Sequence, residues 1–329
     1  MTHTPPPPSP SRPLDVGDVI NAGFRLYGAH LKQYLGISLR ASLWTLLPIL
    51  ALIPLLPLSL GLLAPAAEPS PMLILGSLLA LPLFLVLLVY GLAKSLTNAA
   101  LITRLAFGEL LGQPESATIA QRQVQPKVWN FLLVAVLLGL IFFGITIAAL
   151  VVTGLFLGIP LGILVSMAGG TIEGNVLALI AFILIAFLLL LIFLIVGIWL
   201  LARLWFPEVP LAIEDRLSAS ASIGRCWHLT QNYAWRIALI ISVAFCVTIP
   251  ISLIVQVLTS ILQQFILIFI AENSPFFAAM TILLGNILSI LSGIFTLPFW
   301  QAIKAVIYYD LRARKEGLDL RFRDRDSEI

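Results

Sequence analysis

Histidine and cysteine, the side chains best suited to metal binding or nucleophilic catalysis, are few and scattered in this sequence. The histidines are His3, His30 and His228, and the two cysteines, Cys226 and Cys246, do not form a metal-binding spacing. A metal-assisted hydrolase needs clustered histidines and acids that hold a cation and transfer protons. Because no such cluster occurs, the sequence predicts no enzymatic activity, no metal ion and no cofactor. The cysteines are interpreted as free thiols packed in helices.

Arginine and lysine have the clearest binding chemistry, because both are attracted to anionic lipid headgroups and to acidic partners. Near the ends of apolar helices their long side chains can extend to the headgroups, and the alternative is a role facing a substrate. We predict contacts with lipid headgroups or with a partner for Arg25, Lys32, Arg40, Arg203, Arg225, Arg236, Lys304 and Arg312.

A second candidate group consists of uncharged polar side chains in the last two apolar stretches. Gln256 and Asn286, with nearby serines and threonines, could form a polar seam between two helices. The alternative is ordinary hydrogen bonding that holds the two helices together. No acid lies in the central part of any apolar stretch, which disfavours a proton-coupled transporter.

The elements that would position these side chains are long apolar helices. The chain has 329 residues, of which 60% are hydrophobic and 11% are charged, whereas a soluble domain has roughly 25% charged residues. A span of the hydrocarbon core takes about 20 apolar residues. The sequence therefore predicts an all-α polytopic membrane helix bundle with about six transmembrane helices. The apolar stretches are 35–63, 72–93, 128–160, 174–204, 236–270 and 276–303.

The distribution of charge predicts the orientation of this bundle. The three short turns between paired stretches carry one acid each, at Glu68, Glu173 and Glu272, and none of the 19 Lys and Arg residues. Short loops rich in Lys and Arg remain in the cytoplasm. We therefore expect both termini to be cytoplasmic.

Three hairpin units follow one another along the chain, each preceded by a short cytoplasmic amphipathic helix. ALITRLAFGELLG at 100–112 aligns without gaps with AVIYYDLRARKEG at 305–317. The amphipathic segments are interpreted either as helices lying in the headgroup region or as linkers that cap the bundle. The predicted divisions are a disordered Pro-rich tail at 1–13, a single transmembrane domain at 14–317 with units 14–112, 115–206 and 215–317, and a charged cytoplasmic tail at 318–329.

If the amphipathic segments lie in the headgroup region, their basic residues are predicted to face phosphate and water. These residues are Arg25, Lys32, Arg122 and Arg225. In the third segment, Ala219, Ile223, Trp227 and Thr230 are predicted to share the apolar face.

The segment PEVPLAIEDR at 207–216 is predicted to be extended, because Pro207 and Pro210 both restrict the backbone. It would be a rigid connector into the third amphipathic helix or a strip that binds a partner.

Three segments carry a resemblance to a known family: DVGDVINAGFRLYGAHLKQYLGISL at 15–39, PEVPLAIEDRLSASASIGRCWHLTQNYAWRIALI at 207–240 and LPFWQAIKAVIYYDLRARKEGLDL at 297–320. Together they resemble the bacterial membrane proteins that carry a glycerophosphoryl diester phosphodiesterase membrane domain. The resemblance implies a membrane fold in a bacterial plasma membrane. It does not imply catalysis, because only some relatives join this domain to a catalytic one.

Two classes of function fit these observations. The first is a non-catalytic scaffold or assembly factor that organises lipid or protein partners at the cytoplasmic face. The alternative is a transporter or a lipid-translocating protein. The predicted partners are membrane lipids, with anionic lipids among them, and a membrane protein, but not nucleic acid. The sequence leaves the oligomeric state open.

Overall fold

The computed structural model describes residues 14–52, 71–167, 176–269 and 275–317, and within these ranges all regular structure is helical. This confirms the all-α prediction for the described residues. The predicted tails and the turns that contain Glu68, Glu173 and Glu272 lie outside them. The α-helices are α1 (Val16–Ala29), α2 (Leu31–Leu52), α3 (Pro71–Leu110), α4 (Ala117–Val124), α5 (Val128–Thr153), α6 (Ile159–Met167), α7 (Val176–Arg203), α8 (Glu208–Ile213), α9 (Ala219–Leu229), α10 (Ala234–Phe269) and α11 (Pro275–Glu316).

Four helical stretches of the described chain are long and apolar enough to cross a membrane. They are Leu81–Leu110, Ala117–Gly158, Phe182–Ile213 and Ala234–Leu262. The second stretch includes α4 and α5 and a π-helical turn at Gly154–Gly158, through which the chain continues into α6. Several such stretches in one chain are typical of a multi-pass membrane protein.

The buried core is concentrated at one end of the long helices. It takes its residues from the first turns of α2, α5 and α10 and from the last turns of α3, α7 and α11. The short helices α1, α4, α8 and α9 lie at the same end and pack against these turns. We call this region the charged end. Away from it, large apolar side chains of α3, α5, α7 and α10 are exposed, as expected for helices solvated by lipid.

The amphipathic helices rest on protein at the charged end. Val19 and Ile20 of α1 are buried among residues of α10 and α11. In α9 the buried face is Ala219, Ser222, Cys226 and Leu229, so the predicted face was wrong at Trp227, which is partly exposed. This arrangement agrees with linkers that cap the bundle.

The prediction of an extended segment at 207–216 was wrong, because Glu208–Ile213 forms α8. Pro207 occupies the N-cap position and Pro210 the third helical position. The first N–H groups of a helix have no partner within it, so proline costs no hydrogen bond there. The prolines therefore fix the start of a short helix.

Several helix ends and contacts follow directly from residue type. Ser218 caps α9, since its side chain accepts a hydrogen bond from the N–H of Ala221 at 3.3 Å. Gly112 and Gly317 follow α3 and α11 with φ of +66° and +60°, a conformation that glycine adopts at little cost. These two glycines occupy matching positions in the predicted alignment of 100–112 with 305–317.

Candidate functional site

Asp310 joins three parts of the chain inside the charged end. Its side chain is 3% exposed and forms ion pairs with Arg236 of α10 at 2.5 Å and with Arg314 at 3.0 Å. It also accepts the backbone N–H of Leu14 at 3.2 Å, while both arginines donate to the carbonyl of Leu14. The predicted contact residue Arg236 is therefore paired within the protein.

A second ion-paired group links α8, α9 and α11. Arg225 lies 3.1 Å from Glu214 and also pairs with Glu316, which Arg312 approaches to 3.0 Å. Tyr308 donates its hydroxyl to Glu214. Burial opposes ionisation of Glu316, but Arg312 and Arg225 outweigh that effect and lower the pKa of its carboxyl. Two carboxylates therefore compensate the charge of Arg225 within the protein, and its contact with phosphate and water stays a prediction.

Two further cations bind the carbonyls at the C-terminal end of α8. Arg104 makes a bidentate pair with Glu115, at 2.9 and 3.1 Å, and donates to the carbonyl of Ala212 at 2.9 Å. Lys127 donates to the carbonyl of Leu211 at 3.0 Å. The last carbonyls of a helix lack partners within it, so cations stabilise this end. These contacts attach α8 to α3 and to the start of α5.

Arg203 and Lys304 are held by protein groups close to the apolar part of the bundle. Arg203 is 8% exposed; its guanidinium carbon lies 3.6 Å from the ring centre of Trp227 and 5.0 Å from that of Trp199. It donates to the carbonyl of Trp227 at 2.9 Å, and Lys304 pairs with Glu208. Both side chains are thus engaged with protein groups, and their contact with headgroups stays a prediction. Cation–π contact and ion pairing reduce the cost of burying these charges.

Other predicted contact residues remain on the surface. Arg25, Lys32 and Arg40 are exposed, as is Arg122 on α4. Ion pairs to these four side chains are absent from the described part of the chain. The predicted cations thus fall into two sets, one engaged within the fold and one available to ligands.

One of the available cations lines an open pocket of about 330 Å³ between α2, α3 and α4. Its polar lining comes from Arg40, Lys94, Thr97, Asn98, Gln121 and Gln125. No carboxylate is among the described residues around it. This chemistry suits an anion that can accept several hydrogen bonds.

The polar seam predicted between the last two helices is not formed by the side chains that the structure describes. Gln256 is exposed. Thr259 donates to the carbonyl of Val255 at 2.8 Å and Ser260 to that of Gln256 at 2.9 Å, both within α10. The side chain of Asn286 lies outside the described residues. A hydroxyl that donates to a carbonyl in the preceding turn of its own helix needs no hydrogen-bond partner on another helix.

Within the described residues there is no group of three or more His, Cys, Asp or Glu side chains that could hold a metal ion. Cys226 is buried in α9, and burial raises the pKa of its thiol to about 12. Its thiol is therefore protonated at neutral pH and unsuited to nucleophilic chemistry.

Comparisons with models of protein families, with curated proteins and with solved structures found no match for this chain. The resemblance described above therefore stays a prediction.

Sequence reasoning missed most of the acids that organise the charged end. Glu208, Glu214 and Asp310 follow or begin apolar stretches, where a lone acid is easily read as a solvated loop residue. A usable signal was present, since an acid at the end of an apolar helix beside several Lys and Arg residues is well placed for ion pairing. Lys94 follows an apolar stretch, but its position opposite Arg40 in the pocket could not be predicted without knowing how α2 packs on α3.

Proposed function

We propose that this chain is a bacterial plasma-membrane protein that acts without catalysis as a scaffold. It would span the bilayer six times, with both termini in the cytoplasm. Its charged end would lie at the cytoplasmic face and organise lipid or protein partners there. The alternative is a transporter or a lipid-translocating protein.

The observation that carries this proposal is the division of cations at the charged end. Arg236, Arg225 and Lys304 are engaged with acids, so they hold the helices in fixed positions. Arg25 and Lys32 project from the same end without such partners. A region that is rigid inside and basic outside is well suited to binding other molecules, because little ordering entropy is lost on association.

The six-span topology has support from helix length. Four spans would correspond to the apolar helical stretches already named, and α2 and α11 would supply the other two. A short helix followed by two long helical segments occurs three times in the order of elements, which favours the three-unit organisation. The absence of Lys and Arg from the predicted turns favours cytoplasmic termini.

Native mass spectrometry of the full chain, extracted gently from its own membrane, tests the scaffold function. We expect a stoichiometric protein partner, and we expect it to be lost when residues 318–329 are removed. Removal of residues 1–13 is the control, because this tail is similar in length but rich in proline. Lack of any protein partner, together with movement of a lipid or solute by the protein in liposomes, would overturn the proposal.

Single-cysteine labelling tests the topology separately. In a chain with Cys226 and Cys246 replaced by alanine, we expect Arg122→Cys to react only from the cytoplasmic side. Glu173→Cys, in a predicted turn, should react only from the opposite side. The reverse labelling pattern would place the charged end on the face opposite the cytoplasm and would contradict the proposed topology.

A further inference from the structure

The pocket between α2, α3 and α4 contains a pair of cations whose charge the protein does not neutralise. Arg40 is exposed on α2, and Lys94 is half-buried on α3. Both side chains line the pocket, and the described chain contains no ion pair to either of them. Elsewhere at the charged end, Arg225, Arg236, Lys304, Arg312 and Arg314 are matched with carboxylates. The pocket differs because it brings two cations together without a carboxylate among its described lining residues.

The polar groups around these cations can donate hydrogen bonds. Gln121 and Gln125 reach the pocket from α4, and Asn98 from α3. One amide hydrogen of Asn98 is already used, since its Nδ2 donates to the carbonyl of Lys94 at 2.8 Å. A phosphate has several acceptor oxygens and pairs well with arginine, lysine and amide donors.

Two aromatic side chains mark the depth of the pocket relative to the apolar part of the bundle. Trp44 lies one turn beyond Arg40 on α2, and Tyr90 lies one turn before Lys94 on α3. The two rings meet edge to face with their centres 5.4 Å apart, on the side away from the charged end. Tryptophan and tyrosine favour the boundary between headgroups and hydrocarbon. With these rings at that boundary, the cations would lie at the level of the lipid phosphates.

Apolar surface continues from the pocket along both helices. Leu43 is 52% exposed within one turn of Arg40, and Leu83 is 54% exposed three turns before Lys94 on the same face of α3. A free phosphate would make no use of this surface, whereas the acyl chains of a lipid would cover it. We propose that the pocket binds the phosphate group of an anionic phospholipid, held by Arg40 and Lys94, with the acyl chains along α2 and α3.

The preference for an anionic lipid follows from charge. A zwitterionic lipid would bring an ammonium group to a pocket with two cations and no carboxylate among its described residues. This inference deepens the proposed function, on which it rests for the position of the charged end at the membrane surface. It names the lipid class that the scaffold would hold.

Lipid binding to the purified full chain in detergent tests this assignment. Native mass spectrometry would count bound phosphatidylglycerol and, in a parallel titration, bound phosphatidylcholine. We expect phosphatidylglycerol to bind more tightly and Arg40→Gln/Lys94→Gln to weaken it about tenfold or more. The control is Arg216→Gln, which removes a charge from an exposed position outside the pocket and should change binding less than about twofold. Thermal melting of each variant would confirm that it folds.

Competition with soluble phosphates distinguishes a lipid phosphate from a free phosphate as the bound group. Glycerol 3-phosphate and inorganic phosphate should not displace the lipid at equal concentration, because they lack acyl chains. Displacement by either would overturn the assignment to a lipid in favour of a soluble phosphate. Equal binding of phosphatidylglycerol by wild type and Arg40→Gln/Lys94→Gln would overturn the site altogether. Such a result would leave the scaffold function intact, since the protein partner is measured independently.

Discussion

The two ends of the long helices are built on different principles. At the charged end, α3 and α11 are buried by short helices, and acids and cations pair between distant parts of the chain. Farther along α3, α5, α7 and α10 the surface is apolar and most large side chains are exposed. Packing and ion pairing hold the first region, whereas lipid must solvate the second.

This difference indicates where stability and function reside. When a lipid-facing leucine is replaced, lipid fills the space and little stability is lost. The apolar part therefore tolerates substitutions. At the charged end, a buried charge that loses its partner has neither water nor counter-ion. The same region contains the cations that remain free for ligands, so folding and binding depend on neighbouring residues there.

The largest expected effect comes from removing the charge of Asp310. In Asp310→Asn, Arg236 and Arg314 would remain half-buried without their carboxylate, and the contact with Leu14 would weaken. Breaking a buried pair on one side costs about 3–5 kcal/mol. We expect a clear fall in the melting temperature of the purified protein, measured by loss of its monodisperse chromatographic peak after heating.

Asp215→Asn is the control for this change. The Asp215 side chain is 85% exposed and 4.0 Å from Lys127, so its removal should leave the melting temperature nearly unchanged. Equal melting of Asp310→Asn and wild type would show that the ion pairs at the charged end do not hold the fold.

A pair of identical substitutions compares the two regions directly. Leu229 is fully buried in α9, whereas Leu188 is 59% exposed on α7. Leu229→Ala should reduce the free energy of unfolding by about 2–5 kcal/mol, because a cavity is left in packed protein. Leu188→Ala should change it far less, because lipid fills the space. Equal losses, measured by melting in lipid nanodiscs, would contradict the distinction between the regions.

Much of the fold could be predicted from the sequence because its signals are local. Apolar length located the helical stretches, and Ser218 marked the start of α9 through its capping hydroxyl. The segment that contains Pro210 was predicted to be extended because proline disfavours the interior of a helix. Pro210 instead lies in the first turn of α8, where proline is tolerated. The partners of Arg225 and Arg203 could not be predicted for a different reason. They lie on other helices, and no local pattern indicates which side chains meet in space.

A smaller effect is expected where α2 and α3 approach most closely. A Cβ added at Gly91 would lie 2.5 Å from the carbonyl oxygen of Trp44, which belongs to the backbone and cannot turn away. Gly91→Ala should force the helices apart and cost about 1–3 kcal/mol. The control is Gly197→Ala on α7, where nothing lies within 4 Å. If both variants melt alike, the contact between α2 and α3 does not constrain the pocket.

The smallest expected effect is a pH-dependent contribution from Glu316. Because Arg312 and Arg225 lower the pKa of this carboxyl in the folded protein, its stabilising effect is present above the unfolded pKa of about 4.3. It is lost as the pH falls through the lower folded value, where the carboxyl becomes protonated. Glu316→Gln, which mimics the protonated form, should therefore melt below wild type at pH 7 by an amount equivalent to about 1 kcal/mol or less. The difference should narrow as the pH is lowered from 5 towards 3. A gap that stays constant over this range would mean that shape or packing, and not the charge of Glu316, joins α9 to the end of α11.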